Sequence, residues 1–151
     1  MRKGFSLLEL LVVLAIIAMV STLGWWGLSN YLKQQRLARA VEVVRSAVTE
    51  ARNLAADQSE RVTLALCAPD EIAYAPDDDP CNSPDAARVV LPAGSEVEMK
   101  DATCRVSKGE LEFTGRGLPI ESRCFVVKYR NLSRGVAVLS TGKAILTGGA
   151  P

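Results

Sequence analysis

Histidine is absent from the 151 residues, so the side chain that most often serves as general base and metal ligand near neutral pH is missing. A hydrolase on this chain would need another constellation, and none is visible. There is no Gly-x-Ser-x-Gly elbow, and without histidine no triad can be completed. The four cysteines, at 67, 81, 104 and 124, include no Cys-x-x-Cys pair, and their 13, 22 and 19 intervening residues do not suit a zinc site. The formal charge is only +1, so net charge predicts no polyanionic partner. No proline occurs before Pro69, which leaves the first part of the chain free to run as uninterrupted helix.

What the chain does have, at its start, is a long apolar run. Arg2 and Lys3 precede Gly4, and from Phe5 to Trp26 only Ser6, Glu9, Ser21 and Thr22 interrupt the apolar and small residues. About twenty such residues are enough to span the hydrocarbon core of a bilayer as a helix. A secretory signal peptide shares the basic start and the apolar centre. Against that reading, the run is long, begins directly after Gly4, and is closed by no small-x-small site with a polar continuation. Glu9 argues further, because an ionisable group within an apolar helix is costly and as a rule has a partner or a function. The expectation is a membrane helix with one built-in polar contact.

The stretch Lys3-Gly4-Phe5-Ser6-Leu7-Leu8-Glu9-Leu10 resembles the class III signal of type IV pilins and pseudopilins, with Ser6 where Thr is commoner. The resemblance implies that a prepilin peptidase cuts after Gly4 on the cytoplasmic side and N-methylates Phe5. It implies that Glu9, fifth in the mature chain, meets the N-terminal amine of a neighbouring subunit. The implied partners are that peptidase, the membrane, an inner-membrane assembly platform, and other pilins or pseudopilins in a helical filament. The precursor is expected in the bacterial inner membrane, single-pass with its head in the periplasm, and the mature chain in a pilus or pseudopilus. No cofactor, metal or catalytic residue is implied.

Without the leader and the membrane segment roughly 120 residues remain, enough for one modest core. Losing Arg2 and Lys3 leaves sixteen basic against seventeen acidic residues, a net −1. The charge is unevenly spread: residues 70 to 101 hold nine acidic and two basic, and residues 105 to 151 eight basic and three acidic. Gly24 and Gly27 flank Trp25-Trp26, a site for a local bend or for loosening on assembly. The two tryptophans and Tyr31 suit the membrane–water interface, or packing against a neighbouring subunit. From Leu37 the apolar positions Leu37, Val41, Val44, Val48, Ala51 and Leu54 or Ala55 draw one stripe along an α-helix, with Arg36, Arg39, Glu42, Arg45, Glu50 and Arg52 on the remaining, solvated faces. One helix of about 50 residues, from near Phe5 to near Ala56, is expected.

Beyond Asp57 the period changes. Val62, Leu64 and Leu66 alternate within Arg61 to Cys67, as in a half-buried strand. Further strands are expected at Ala87 to Leu91, Glu96 to Met99, Glu110 to Phe113, Cys124 to Tyr129, Gly135 to Leu139 and Ala144 to Leu146, the last two joined by a tight turn over Ser140-Thr141-Gly142-Lys143. That tetrapeptide lacks the order and the following helix of a phosphate loop. The fold class is α+β, the pilin fold that the resemblance implies: one long N-terminal helix packed on an antiparallel β-sheet head. Its parts are a leader at 1–4, a transmembrane and assembly half-helix at 5–28, an amphipathic half-helix at 29–57 and a β-rich head at 58–151.

Four later stretches narrow the family. Arg45 to Leu66, and Leu111-Glu112-Phe113-Thr114-Gly115-Arg116-Gly117 with Cys124 to Tyr129 and Val136 to Lys143, are similar to the general-secretion-pathway protein H and FimT group; residues 68 to 105 show no clear match. The resemblance implies a minor pilin of a type IV pilus, with roles in pilus assembly and priming and in DNA uptake during natural transformation. The alternative is an H-type pseudopilin of type II secretion, and a signal-anchored binding protein that never polymerises is a different class again.

Four cysteines in a head facing an oxidising space suggest two disulfides, with three pairings open. Cys67 with Cys81 and Cys104 with Cys124 are favoured because each closes a local loop. Asp77-Asp78-Asp79 between the first two is a cluster of hard oxygen ligands that suits Ca²⁺, but it lacks the alternating order of a calcium loop, and a solvated acidic turn is the default. Arg116, Arg123, Lys128, Arg130, Arg134 and Lys143 are candidate DNA contacts, with Lys128 and Arg130 on one strand face. The bland alternative is that they pair with the acidic segment 70 to 101.

Overall fold

A computed structural model describes residues 7–105 and 109–147, excepting the side chains of Val20 and residues 22–27. Its order is α1 (Leu7–Gln58), β1 (Val62–Ala68), β2 (Glu71–Ala75), β3 (Ala87–Val90), β4 (Ser95–Asp101), β5 (Glu110–Phe113), β6 (Arg123–Tyr129), β7 (Leu132–Val138) and β8 (Ala144–Thr147).

The chain divides into two compact units, Met1–Gln35 and Arg36–Pro151. In the first, the described residues are helical, and Leu7, Leu10, Leu11, Ile16 and Ile17 are all more than half exposed. Ser21 returns its hydroxyl to the Ile17 carbonyl at 2.7 Å, so this polar residue sits in an apolar stretch with its donor satisfied. Among the described residues no helix is long and apolar enough to cross a membrane. The span expected over residues 5–28 therefore stays an expectation; Phe5 and the Trp25-Trp26 side chains lie outside the described residues.

In the second unit the helical stripe is the core's spine. Leu37, Val41, Val44, Val48, Ala51 and Ala55 are buried as their spacing requires, joined by Ala40 and Ala47. They meet Val62, Leu64, Ile72, Leu111 and Phe113 from one sheet and Val97, Met99, Phe125, Val127, Val136 and Val138 from the other in one cluster. The small alanines let the backbone of α1 approach the strands closely, and the valines fill the pleats.

The head expected as a single antiparallel sheet is two four-stranded sheets, ordered β3-β2-β1-β5 and β4-β6-β7-β8, all of whose pairs are antiparallel. Strand β2 was not among the expected strands. Its burial runs Ile72-Ala73-Tyr74-Ala75 without a break, so it carries none of the alternation that marks a half-exposed strand. Strand β7 begins at Leu132, earlier than expected, because Arg130-Asn131 closes a two-residue turn in which Arg130 has φ 54°. The β7–β8 turn forms where Gly142 was expected to allow it, with φ 75° at that residue.

Candidate functional site

Gly4 and Phe5 lie outside the described residues. Glu9 sits in the first turn of α1 with its side chain exposed. Its carboxylate is presented outward on an apolar surface.

The disulfides join Cys67 to Cys81 and Cys104 to Cys124. The first closes the loop between β1 and the segment after β2. Within it Asp77 accepts the Ser83 hydroxyl at 2.5 Å, and Asp79 accepts Asn82 Nδ2 at 2.6 Å and, through its carbonyl, Asn82 N at 3.3 Å. The two aspartates thus act as turn acceptors, and among the described residues no group of three or more candidate ligands gathers to hold a metal ion. The second bridge ties the turn after β4 to β6; Cys104 itself has φ 61°, and the Asp101 carboxylate gathers Thr103 N, Thr103 Oγ1 and Arg105 N around it.

The six candidate DNA contacts do not form one surface. Arg123 is committed inward: Nε donates to the Glu110 carbonyl at 3.0 Å and Nη1 to Glu121 at 2.5 Å. Lys128 Nζ donates to Glu98 on the neighbouring β4. That hydrogen bond holds the Glu98 carboxyl below the usual range, against the opposing pull of partial burial and with help from Lys100 at 3.4 Å. This pair joins the basic and acidic segments as the bland reading had it. Arg130 is not on a strand face with Lys128: it lies past the end of β6 in a turn, its guanidinium 6.0 Å from the Tyr129 ring. Arg134 is exposed on β7, opposite Val127. Arg116 and Lys143 are exposed at the other end of these strands, on two turns that close against each other. A Cβ on Gly142 would come within 2.8 Å of the Gly117 carbonyl oxygen and 3.0 Å of Arg52 Nε, so both turns are pressed onto the Arg52 side chain.

Three helix-to-sheet contacts were not read from sequence. Arg36 donates to Tyr129 Oη at 2.9 Å with its guanidinium 6.0 Å from the ring. Tyr74 Oη donates to Glu50 at 2.7 Å; burial pushes the Tyr74 pKa up to about 12, and the Glu50 carboxylate pushes the same way. Arg52 is packed as described. Arg36, Glu50 and Arg52 stand on the faces expected to be solvated, and only their position beside the buried stripe hints at inward contacts.

The family described as the prokaryotic N-terminal methylation motif matches residues 1–25. No curated protein's sequence matches the chain. Two crystal structures of the type IV minor pilin FimU of Pseudomonas aeruginosa (strain PAO1) are similar in fold. One, in space group P21, has a TM-score of 0.63 at 14% identity, covering 78% of this chain and 92% of that one. The other, in space group P65, has a TM-score of 0.58 at 13% identity over 72% of this chain and 90% of that one. The chain thus carries the methylation motif at its N-terminus and has a fold similar to that of a type IV minor pilin, a long helix with antiparallel sheets.

Proposed function

We propose that the chain is a minor pilin, a non-catalytic subunit of a type IV pilus that acts in pilus assembly and priming. The observation that carries this is the pairing of the methylation motif over residues 1–25 with the fold of a minor pilin over most of the chain. The motif implies a membrane-anchored precursor, cleaved after Gly4 and methylated at Phe5 by a prepilin peptidase, that assembles with other pilins. The exposed apolar residues from Leu7 to Ile17 leave lipid and bury themselves among neighbouring helices. Transfer from one apolar surrounding to another costs little, so the polar pairing of Glu9 with a neighbour's N-terminal amine can decide the register.

The test is recovery of the chain in filaments sheared from cells, wild type beside Glu9→Ala. Membrane insertion of the variant is expected to be intact and its recovery in filaments abolished; normal recovery would refute the pairing. An H-type pseudopilin of type II secretion remains the alternative, separated by asking which assembly loses function when the chain is deleted. The minor-pilin reading is preferred because the similar solved structures are minor pilins.

A role in DNA uptake rests on Arg130 and Arg134, which are exposed; the Arg130 guanidinium, like that of Arg36, lies 6.0 Å from the Tyr129 ring. Binding of duplex DNA that falls steeply with salt, and weakens in Arg130→Ala/Arg134→Ala, is the expected result.

A further inference from the structure

Two arginines from distant parts of the chain meet at one tyrosine. Arg36, on α1, donates to Tyr129 Oη at 2.9 Å, and Arg130 stands in the turn between β6 and β7. Each guanidinium lies 6.0 Å from the centre of the Tyr129 ring, so the two cations are no farther apart than those distances combined. The ring is buried, and both arginines are exposed. Arg39, also exposed, stands three residues beyond Arg36 and so beside it on the helix surface.

This cluster has no anion of its own. Among the described residues no ion pair engages Arg36, Arg39 or Arg130. The carboxylates of the neighbouring strand are turned away. Ser95, the register partner of Tyr129, is buried on the same face of the sheet, and Glu96 and Glu98 alternate with it and with Val97 onto the opposite face. Glu98 is moreover spent on Lys128 there. The bond to Tyr129 uses one of the five N–H donors of Arg36 and holds its planar group in place. The remaining donors are preset for an oxyanion that accepts several hydrogen bonds at once.

We propose that Arg36, Arg39 and Arg130 form a site for the headgroup phosphate of an anionic phospholipid, engaged while the chain is held in the membrane as a precursor. Guanidinium forks match a phosphate's oxygens in geometry and in charge. The source follows from connectivity: the expected span ends at residue 28 and Arg36 follows it by eight residues, so a headgroup is the phosphate nearest at hand, and cations beside a span are drawn to anionic lipid. Duplex DNA offers the same chemistry as a long row of phosphates, whereas these cations gather about one ring, which suits a single headgroup. The inference rests on the reading of a membrane-anchored precursor and adds to it a headgroup preference that neither cleavage after Gly4 nor the pairing of Glu9 requires.

The test is native mass spectrometry of the full-length chain in detergent micelles, with phosphatidylglycerol or phosphatidylcholine added in parallel. The wild type is expected to retain the anionic lipid about tenfold more than the zwitterionic one, and Arg36→Gln/Arg130→Gln to lose that preference. Arg39→Gln/Arg130→Gln, which gives up no side-chain hydrogen bond or ion pair among the described residues, is expected to lose it too with unchanged thermal unfolding, so misfolding is not the cause. Arg116→Gln/Lys143→Gln removes the same charge elsewhere and is expected to keep the preference. Equal retention of the two lipids by the wild type, survival of the preference in both arginine variants, or an equal loss in Arg116→Gln/Lys143→Gln overturns the proposal. So does displacement of the lipid by an equal concentration of inorganic phosphate, which assigns the site to the free anion. Loss of duplex-DNA binding in Arg36→Gln/Arg130→Gln with the lipid preference intact assigns it to nucleic acid and overturns the proposal as well. Cleavage after Gly4 reports on the precursor reading separately: a processed chain without the preference fails the site alone, and an unprocessed chain with it fails the precursor reading alone.

Discussion

The Tyr74 hydroxyl donates a 2.7 Å hydrogen bond to the Glu50 carboxylate, fastening β2 to α1 at a point where the sequence shows only a charged helix face and an unmarked strand. The ring is buried, 8% exposed, and its pKa is pushed up to about 12 by burial first and by Glu50 second. A raised pKa means that the fold favours the neutral phenol. Its stabilising effect is fully present below the ordinary tyrosine value near 10 and is lost as the pH climbs from there toward 12. The head is expected to weaken over that window, and Tyr74→Phe to lose most of the dependence. At neutral pH the variant is expected to be about 1 kcal/mol less stable, one hydrogen bond's worth. Denaturant unfolding at pH 7 and at pH 11 checks both.

Glu98 has the opposite sign. Lys128 holds its carboxyl low, so its contribution is present above the ordinary glutamate range and fades as the pH falls through the lowered value. The pair is substantially exposed, so Glu98→Gln is expected to change stability little at pH 7. It is also expected to leave any DNA affinity unchanged or slightly raised by freeing Lys128, measured by a salt-series titration.

Phe125 is fully buried where α1 meets the second sheet. Phe125→Ala is expected to cost about 3–5 kcal/mol, the transfer of the ring plus the cavity it leaves, and to drop the unfolding midpoint sharply.

Removing the Cys104–Cys124 bridge as Cys104→Ser/Cys124→Ser is expected to cost about 2–4 kcal/mol, because the loop it closes regains freedom in the unfolded chain. Denaturation of the variant beside the wild type checks the figure. Unfolding the wild type in reductant is expected to cost more, because the Cys67–Cys81 bridge opens as well.

Asp57→Lys is expected to stabilise the head by about 0.3–1 kcal/mol, since it places a cation at the helix's negative end. Denaturant unfolding of the variant beside the wild type checks the sign.

The helix was legible because its stripe repeats at 3.6 residues with no proline to interrupt it, and Leu37 through Ala55 fell on the core as the spacing required. Strands β1, β5, β6 and β8 were legible for the parallel reason, alternation or β-branched runs bounded by turns. β2 was not, since a strand buried on both faces has no alternation to show. The division into two sheets was hidden because it depends on pairings between distant segments, β1 with β5 and β4 with β6. The cysteine pairing could be favoured because each bridge closes a local loop. The basic residues could be named but not placed: Lys128 and Arg123 reach carboxylates that lie near only in space, and Arg116 and Lys143 are brought together by two glycine turns meeting at Arg52.

The most direct measurement is the mass of the chain's N-terminal peptide, purified from cells with and without a prepilin peptidase. The account predicts a chain that begins at Phe5 and carries one added methyl group when the peptidase is present, and an unprocessed Met1 form when it is absent. A chain that keeps Gly4, or one cut downstream of the apolar run whether or not the peptidase is present, would contradict it.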